Sequence, residues 1–210
     1  MAWLGFLRTT TVGALVLLCG AADASAQRNE TLVGNRRGTD FGGFGGPVVK
    51  LTRIAGQDVA MSGGRGGLII NRRFVIGGGR YALARNNIRT GYTFDNGDEP
   101  TLEFGYGGLE FEYITRPSRL VHATLYTLIG RGRASHTSEQ SQGGAVLRQR
   151  LDSDLFVIEP ALTLELNVTR WFRTGVGAGY RFVDGSDLPQ VNDAALSGGV
   201  ATLSFKFGSF

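Results

Sequence analysis

The chain predicts an all-β fold, an eight-stranded antiparallel up-and-down transmembrane β-barrel behind an N-terminal signal peptide. Three observations lead there. Eight alternating or apolar segments of strand length follow one another at 47–54, 59–70, 74–84, 101–114, 120–133, 155–168, 172–183 and 194–207. The intervals between them sort by length: 71–73, 115–119 and 169–171 are tight, whereas 85–100, 134–154 and 184–193 are long and polar. Only 55–58 (AGQD) breaks the long series. An even strand count with short turns at one end and long loops at the other is the layout of a membrane-spanning barrel. A sandwich has no reason to sort its loops by end. The third observation is a charge-free face on 155–168, made by Phe156, Ile158, Pro160, Leu162, Leu164, Leu166 and Val168. Glu159, Thr163, Glu165 and Asn167 lie on the opposite face.

Residues 1–26 read as a signal peptide. Arg8 precedes the apolar run Val12 to Cys19, and Ala24-Ser25-Ala26 offers a small-residue cleavage site before Gln27. The run falls short of the ~20 residues a spanning helix needs. Large Leu17 and Leu18 sit where a lipidation site at Cys19 would want small residues. Cleavage would remove the only cysteine, leaving no disulfide, thiolate nucleophile or cysteine metal site. Residues 27–46 are polar and Gly-rich, and read as a flexible extension leading into a barrel over 47–210.

Composition narrows the function. The formal charge of +4 is spread along the chain, not gathered into a basic stripe, so no nucleic-acid partner is expected. His122 and His136 are the only histidines, so neither a metal site nor a cofactor is expected. Glycine is the outlier, 33 of 210 residues, about twice the average usage of ~7%. These glycines lie inside the alternating segments, where strands bend or backbones approach closely.

The best-patterned strands are 155–168 and 172–183. Joined by Thr169-Arg170-Trp171, they predict a register with Val168 facing Phe172, Glu159 opposite Arg181 and Glu165 diagonal to Arg173. Glu159, Glu165, Arg173 and Arg181 are therefore expected as a charge network in the lumen, where isolated charges are costly. Phe172 and Phe182 are ten residues apart. At ~3.3 Å per residue and a tilt near 40°, that spans roughly 25 Å, the height of a lipid-facing band. Trp171, Phe172, Tyr180 and Phe182 are expected as aromatics at the lipid interface. In 101–114, Leu102, Phe104 and Tyr106 share one parity while Leu109, Phe111 and Tyr113 share the other, which predicts a bulge at Gly107-Gly108. Gly77 to Gly79 shifts parity in the same way, and 59–70 carries almost no pattern. The inward set then also includes Lys50, Glu103, Glu110, Glu112 and Lys206, with His122 as a hydrogen-bonded lumen residue.

With these segments, and with phrases such as GGPVVKLT, NVTRWFRTGVGAGYRF and LSFKFGSF, residues 47–210 resemble the small outer-membrane β-barrels of the OmpA/OmpX-like superfamily. The resemblance implies a Gram-negative-type outer membrane as the location, with outer-membrane lipids including lipopolysaccharide around the barrel and long loops outside. It also implies that terminal Phe210 belongs to a C-terminal signal read by the barrel-insertion machinery during assembly. Leu203, Phe205 and Phe207 alternate as that signal requires, but Phe210 falls on the other parity.

An eight-stranded interior is just wide enough for side chains to fill, so a structural or surface-interaction barrel without an open pore is expected, and not an enzyme. Two alternatives remain open. His136 and Ser138 form an H-x-S pair that resembles that of lipid A deacylases, with Glu139, Asp152 or Asp154 to hold the imidazole. The other is a soluble exported barrel binding an apolar ligand, which needs Leu162, Leu164 and Leu166 to point inward.

Overall fold

The computed structural model describes residues 40–85, 88–95, 97–142 and 145–210. The expected signal peptide, and the part of the extension before Asp40, lie outside the described residues. In chain order the elements are β1 (Phe41–Ile54), β2 (Gln57–Ile70), β3 (Phe74–Leu83), β4 (Ile88–Arg89), β5 (Thr101–Ile114), β6 (Val121–Gln142), β7 (Ala145–Asn167), β8 (Phe172–Asp184), the one-turn helix α1 (Asp193–Leu196) and β9 (Gly198–Ser209). All pairings are antiparallel, β3 pairs β5, and β9 returns to β1, so eight strands close on themselves. Two-residue β4 resumes the line of β3 along β5 after the chain leaves the sheet.

The stagger follows from the registers. The pairs run from Gly42 through Ile69, Val75, Glu112, Tyr126, Ala161, Gly179 and Val200 back to β1 at Thr52, ten residues further along. Such a stagger over eight strands tilts them by roughly 40° to the axis. One rim carries the connections 71–73, 115–120 and 168–171 (the turn rim), and the other carries the tight turn 55–56 and the ends of β6 and β7 together with the longer segments 84–100 and 185–197 (the loop rim). At the loop rim, Ala55 and Gly56 both have positive φ (49° and 76°), a primed turn matched to the twist of β1 and β2.

Four expectations change. β1 begins at Phe41, not at 47, because Gly43, Phe44 and Gly45 pair with Ser209, Gly208 and Phe207 of β9. The polar interval 134–154 is strand, since β6 and β7 stay paired out to Gln142↔Ala145. Its Ser, Thr, Gln and charged residues give no apolar periodicity, but nothing between Ala134 and Gln142 breaks a strand either. The last strand starts at Gly198, because Asp193–Leu196 form the helical turn α1, capped by the Asn192 side chain.

The fourth change concerns the glycines of β3 and β5. There is no bulge at Gly107-Gly108 and no shift at Gly77–Gly79, and the registers run unbroken through both. Even-numbered residues of β5 face inward along its whole length. What changes at the glycines is the filling of the interior, apolar toward the loop rim and charged toward the turn rim. Glu103 consequently faces outward, where it meets Arg150, and is not part of the inward set. Gly108 and Gly130 stand opposite each other, and a Cβ on Gly130 would lie 2.1 Å from the Gly107 carbonyl oxygen. Glycine serves close backbone approach there, not a bulge.

Candidate functional site

The interior is stacked in three layers. At the turn rim, Phe44, Ile69, Val75 and Ile114 form a small apolar plug, with Phe210 packed against it. Phe210 therefore turns inward at the end of β9, which accounts for its broken parity. Its ring stacks 6.4 Å from that of Phe44 and lies 4.0 Å beneath the Arg173 guanidinium.

The charged layer comes next. Arg65 bridges Glu110 at 2.8 Å and Glu112 at close contact. Lys206 joins Glu112 at 2.7 Å to Glu165 at 2.5 Å, and His122 Nε2 lies 3.4 Å from Glu165. Higher up, Lys50 bonds Glu159 at 2.6 Å and lies 3.4 Å from the centre of the Tyr81 ring. Three tyrosine hydroxyls donate into this layer: Tyr106 to Glu159, and Tyr81 and Tyr126 to Glu110 at 2.6 and 2.9 Å. The residues of this layer are buried, and charges in that state hold only when paired and hydrogen-bonded. Toward the loop rim a third, apolar layer follows, including Ile54, Ile88, Leu102, Phe104, Val183 and Leu196.

Glu159, Glu165, Arg173 and Arg181 thus all face the interior, and Asn167↔Arg173 and Ile158↔Phe182 have the register that the Thr169-Arg170-Trp171 connection predicts. Glu159 and Arg181 nevertheless do not bond each other. Glu159 is taken by Lys50 and Tyr106 across the lumen. Arg181 reaches past the charged layer, donating to the Leu196 carbonyl at 2.9 Å and to Thr52 at 3.4 Å. Arg65 escapes sequence reasoning because its strand lacks pattern. The signal available was its parity, shared with Met61 and Ile69.

Outside, the polarity is reversed. Trp171, Phe207, Phe74 and Tyr113 stand exposed near the turn rim, with Phe172 half-buried among them, and Phe172 and Phe207 stack at 4.9 Å. Tyr180, Phe182 and Phe156 stand exposed toward the loop rim. Between these levels run Leu68, Ile76, Leu109, Phe111, Leu125, Leu162, Leu164, Val176 and Leu203. Leu162 and Leu164 are each 52% exposed, which overturns the soluble reading that required them inside. The interior between them holds ion pairs, not an apolar ligand cavity.

His136 and Ser138 lie on β6, not in a loop. His136 is fully buried, stacked 5.0 Å from the Tyr92 ring, with Nε2 donating to the Pro189 carbonyl at 3.1 Å. A carbonyl only accepts, so Nε2 carries the proton, and among the described residues Nδ1 has no partner. Ser138 donates to Asp98 at 3.1 Å. Asp152 accepts from Ser135 and Arg150, which hold its carboxyl below the usual range, and Asp154 pairs with Arg133. The side chain of Glu139 lies outside the described residues. The candidate base and nucleophile are each engaged elsewhere, and neither Asp152 nor Asp154 holds the imidazole.

What the pairing and the two faces define is a closed eight-stranded antiparallel β-barrel, with a charged layer buried between two apolar ones and an apolar belt outside. No family model matches the chain, and no curated protein matches it. It is similar in fold to the N-terminal β-barrel domain of Pseudomonas aeruginosa OprF, at 12% identity and a TM-score of 0.44, covering 82% of this chain and 99% of that one. It is similar also to Neisserial surface protein A, at 15% identity and 0.47, covering 81% and 99%. A third is Ail, the attachment invasion locus protein of Yersinia pestis, in complex with the heparin analogue sucrose octasulfate, at 14% and 0.42, covering 81% and 98%. The strand count and closure stand on the pairing itself.

Proposed function

We propose that this chain is an outer-membrane β-barrel protein of structural or surface-interaction type, its lumen filled by ion pairs and closed to diffusion. The observation that carries the reading is the outward belt. Below the level of Arg80 and Arg131, no described outward strand residue bears a charge, and aromatics mark both margins. A monomer in water rarely exposes an apolar patch beyond roughly 300–600 Å², and a band encircling the whole barrel far exceeds that. Along β8 the band runs from Phe172 to Phe182, roughly 25 Å at the strand tilt, which matches a bilayer's apolar layer. Lipids of the outer membrane, lipopolysaccharide included, cover this belt. Phe210 closes the segment that the insertion machinery engages during assembly, and the loop rim with the β6–β7 hairpin offers the surface for partners outside.

The test is fractionation followed by gel mobility. Retention in the outer membrane, with a faster-running unboiled form in detergent, is the expected result; soluble periplasmic protein with no shift would overturn the reading. In planar bilayers the barrel should add no steady single-channel conductance. Resolved openings would remove the closed-lumen part alone.

A further inference from the structure

Arg80 of β3 and Arg131 of β6 both stand opposite Gly107 of β5, one on each side. Both project outward and are exposed, and among the described residues neither makes an ion pair or hydrogen bond. Their backbones are two strand spacings apart, roughly 10 Å. The glycine between them presents no side chain, so both guanidinium groups overhang the same floor. This floor belongs to an open groove of about 1150 Å³, whose walls also carry Arg133 and Arg150. Those two are already engaged, Arg133 with Asp154 at 2.9 Å and Arg150 with Asp152 at 2.6 Å. The open cationic capacity of the groove therefore lies with Arg80 and Arg131.

Their height matters as much as their charge. Arg80 lies six residues beyond the rim aromatic Phe74 on β3, roughly 15 Å along the axis at this tilt. That places it in the upper part of the apolar belt, where an unpaired cation is unfavourable on a lipid-facing strand. Immediately below lie Ile76, Leu109 and Phe111, which are apolar and exposed. A cation pair high in the belt, above apolar surface, complements an amphiphile with an anionic head. Guanidinium groups bind phosphate through paired N–H donors, and two such groups can clasp one phosphate from both sides.

Resting on the membrane reading above, we infer that this groove binds the phosphate of an anionic membrane lipid. The headgroup lies over Gly107 between Arg80 and Arg131, and the acyl chains descend along Ile76, Leu109 and Phe111.

The full chain, refolded into phosphatidylcholine nanodiscs, is titrated with diphosphoryl lipid A, with the same lipid stripped of its phosphates, and with inorganic phosphate. Binding is counted by native mass spectrometry. The unaltered protein should bind the diphosphoryl lipid at least tenfold more tightly than the stripped one, and the preference should weaken with salt. R80Q/R131Q should lose that preference, whereas R53Q, at the loop rim and outside the groove, should keep it. Equal binding of both lipids, or full preference retained in R80Q/R131Q, overturns the inference while leaving the membrane reading intact. Inorganic phosphate competing at the lipid's own concentration would also overturn it, since the acyl chains would then contribute nothing. A chain that will not enter phosphatidylcholine at all overturns both, and the heat-dependent gel shift reads that failure separately.

Discussion

The two halves of β5 are built alike and filled oppositely. Toward the turn rim, Glu110 and Glu112 point inward while Leu109, Phe111 and Tyr113 point outward. Toward the loop rim, Leu102, Phe104 and Tyr106 point inward while Glu103, Gly105 and Gly107 point outward. The backbone register does not change between them. The lesson is that one strand satisfies two environments in succession. Within the belt the exterior is apolar, and charges retreat into the lumen, where they must find one another. Above the belt the exterior is polar, and the interior can be packed as an ordinary apolar core.

The comparison breaks most sharply in the charged half. Glu159→Leu leaves Lys50 buried without its carboxylate and should cost about 3–5 kcal/mol, measured by urea unfolding in vesicles. Adding Lys50→Met should restore most of that loss. If the single and double variants are equally unstable, the ion pair is not what holds this half. Next comes the exterior. Leu162→Arg, at the middle of the belt, should cost about 2–4 kcal/mol in a bilayer, whereas Leu151→Arg, beyond the belt on β7, should stay within ~0.5 kcal/mol. Equal effects at the two sites would mean that the belt does not face lipid.

The apolar half should respond more gently. Phe104→Leu keeps the interior apolar and removes only part of a ring, so about 1 kcal/mol is expected from the same unfolding measurement. A loss as large as that of Glu159→Leu would erase the distinction between the halves. The smallest effect belongs to the turn rim, outside both. Asn71 and Arg72 turn the chain with φ of 51° and 59°, and Arg72 pairs with Asp40 only at the surface. Arg72→Gly should relieve backbone strain of about 1 kcal/mol and raise the unfolding midpoint slightly, since an exposed ion pair contributes less than that.

Much of this was legible in the chain itself. Phe156 to Val168 announces an outward apolar face, because every second residue is apolar and none is charged. The short connection through Thr169-Arg170-Trp171 determines the register of β7 and β8, because so few residues allow few alternatives. The extension of β6 beyond Ala134 was not legible, because Ser135, His136 and Thr137 are polar residues buried one after another and carry no apolar period. The candidate catalytic pair failed for a related reason. An H-x-S spacing brings His136 and Ser138 to one face of a strand but cannot say that Pro189 and Asp98 already occupy them.

The sequence by itself determined that the chain forms strands, how many close the barrel, and which face of the best-patterned ones is apolar. Those are local properties, written at a period of two and bounded by turn chemistry. Only the tertiary structure decided that Lys50 meets Glu159 and that Arg65 bridges Glu110 and Glu112. The partners are 109 residues apart in the first case and 45 and 47 in the others. A lumen charge is confined to the inside by its own strand, but the partner it finds there depends on the ten-residue stagger that closes the barrel, and no single strand contains that number.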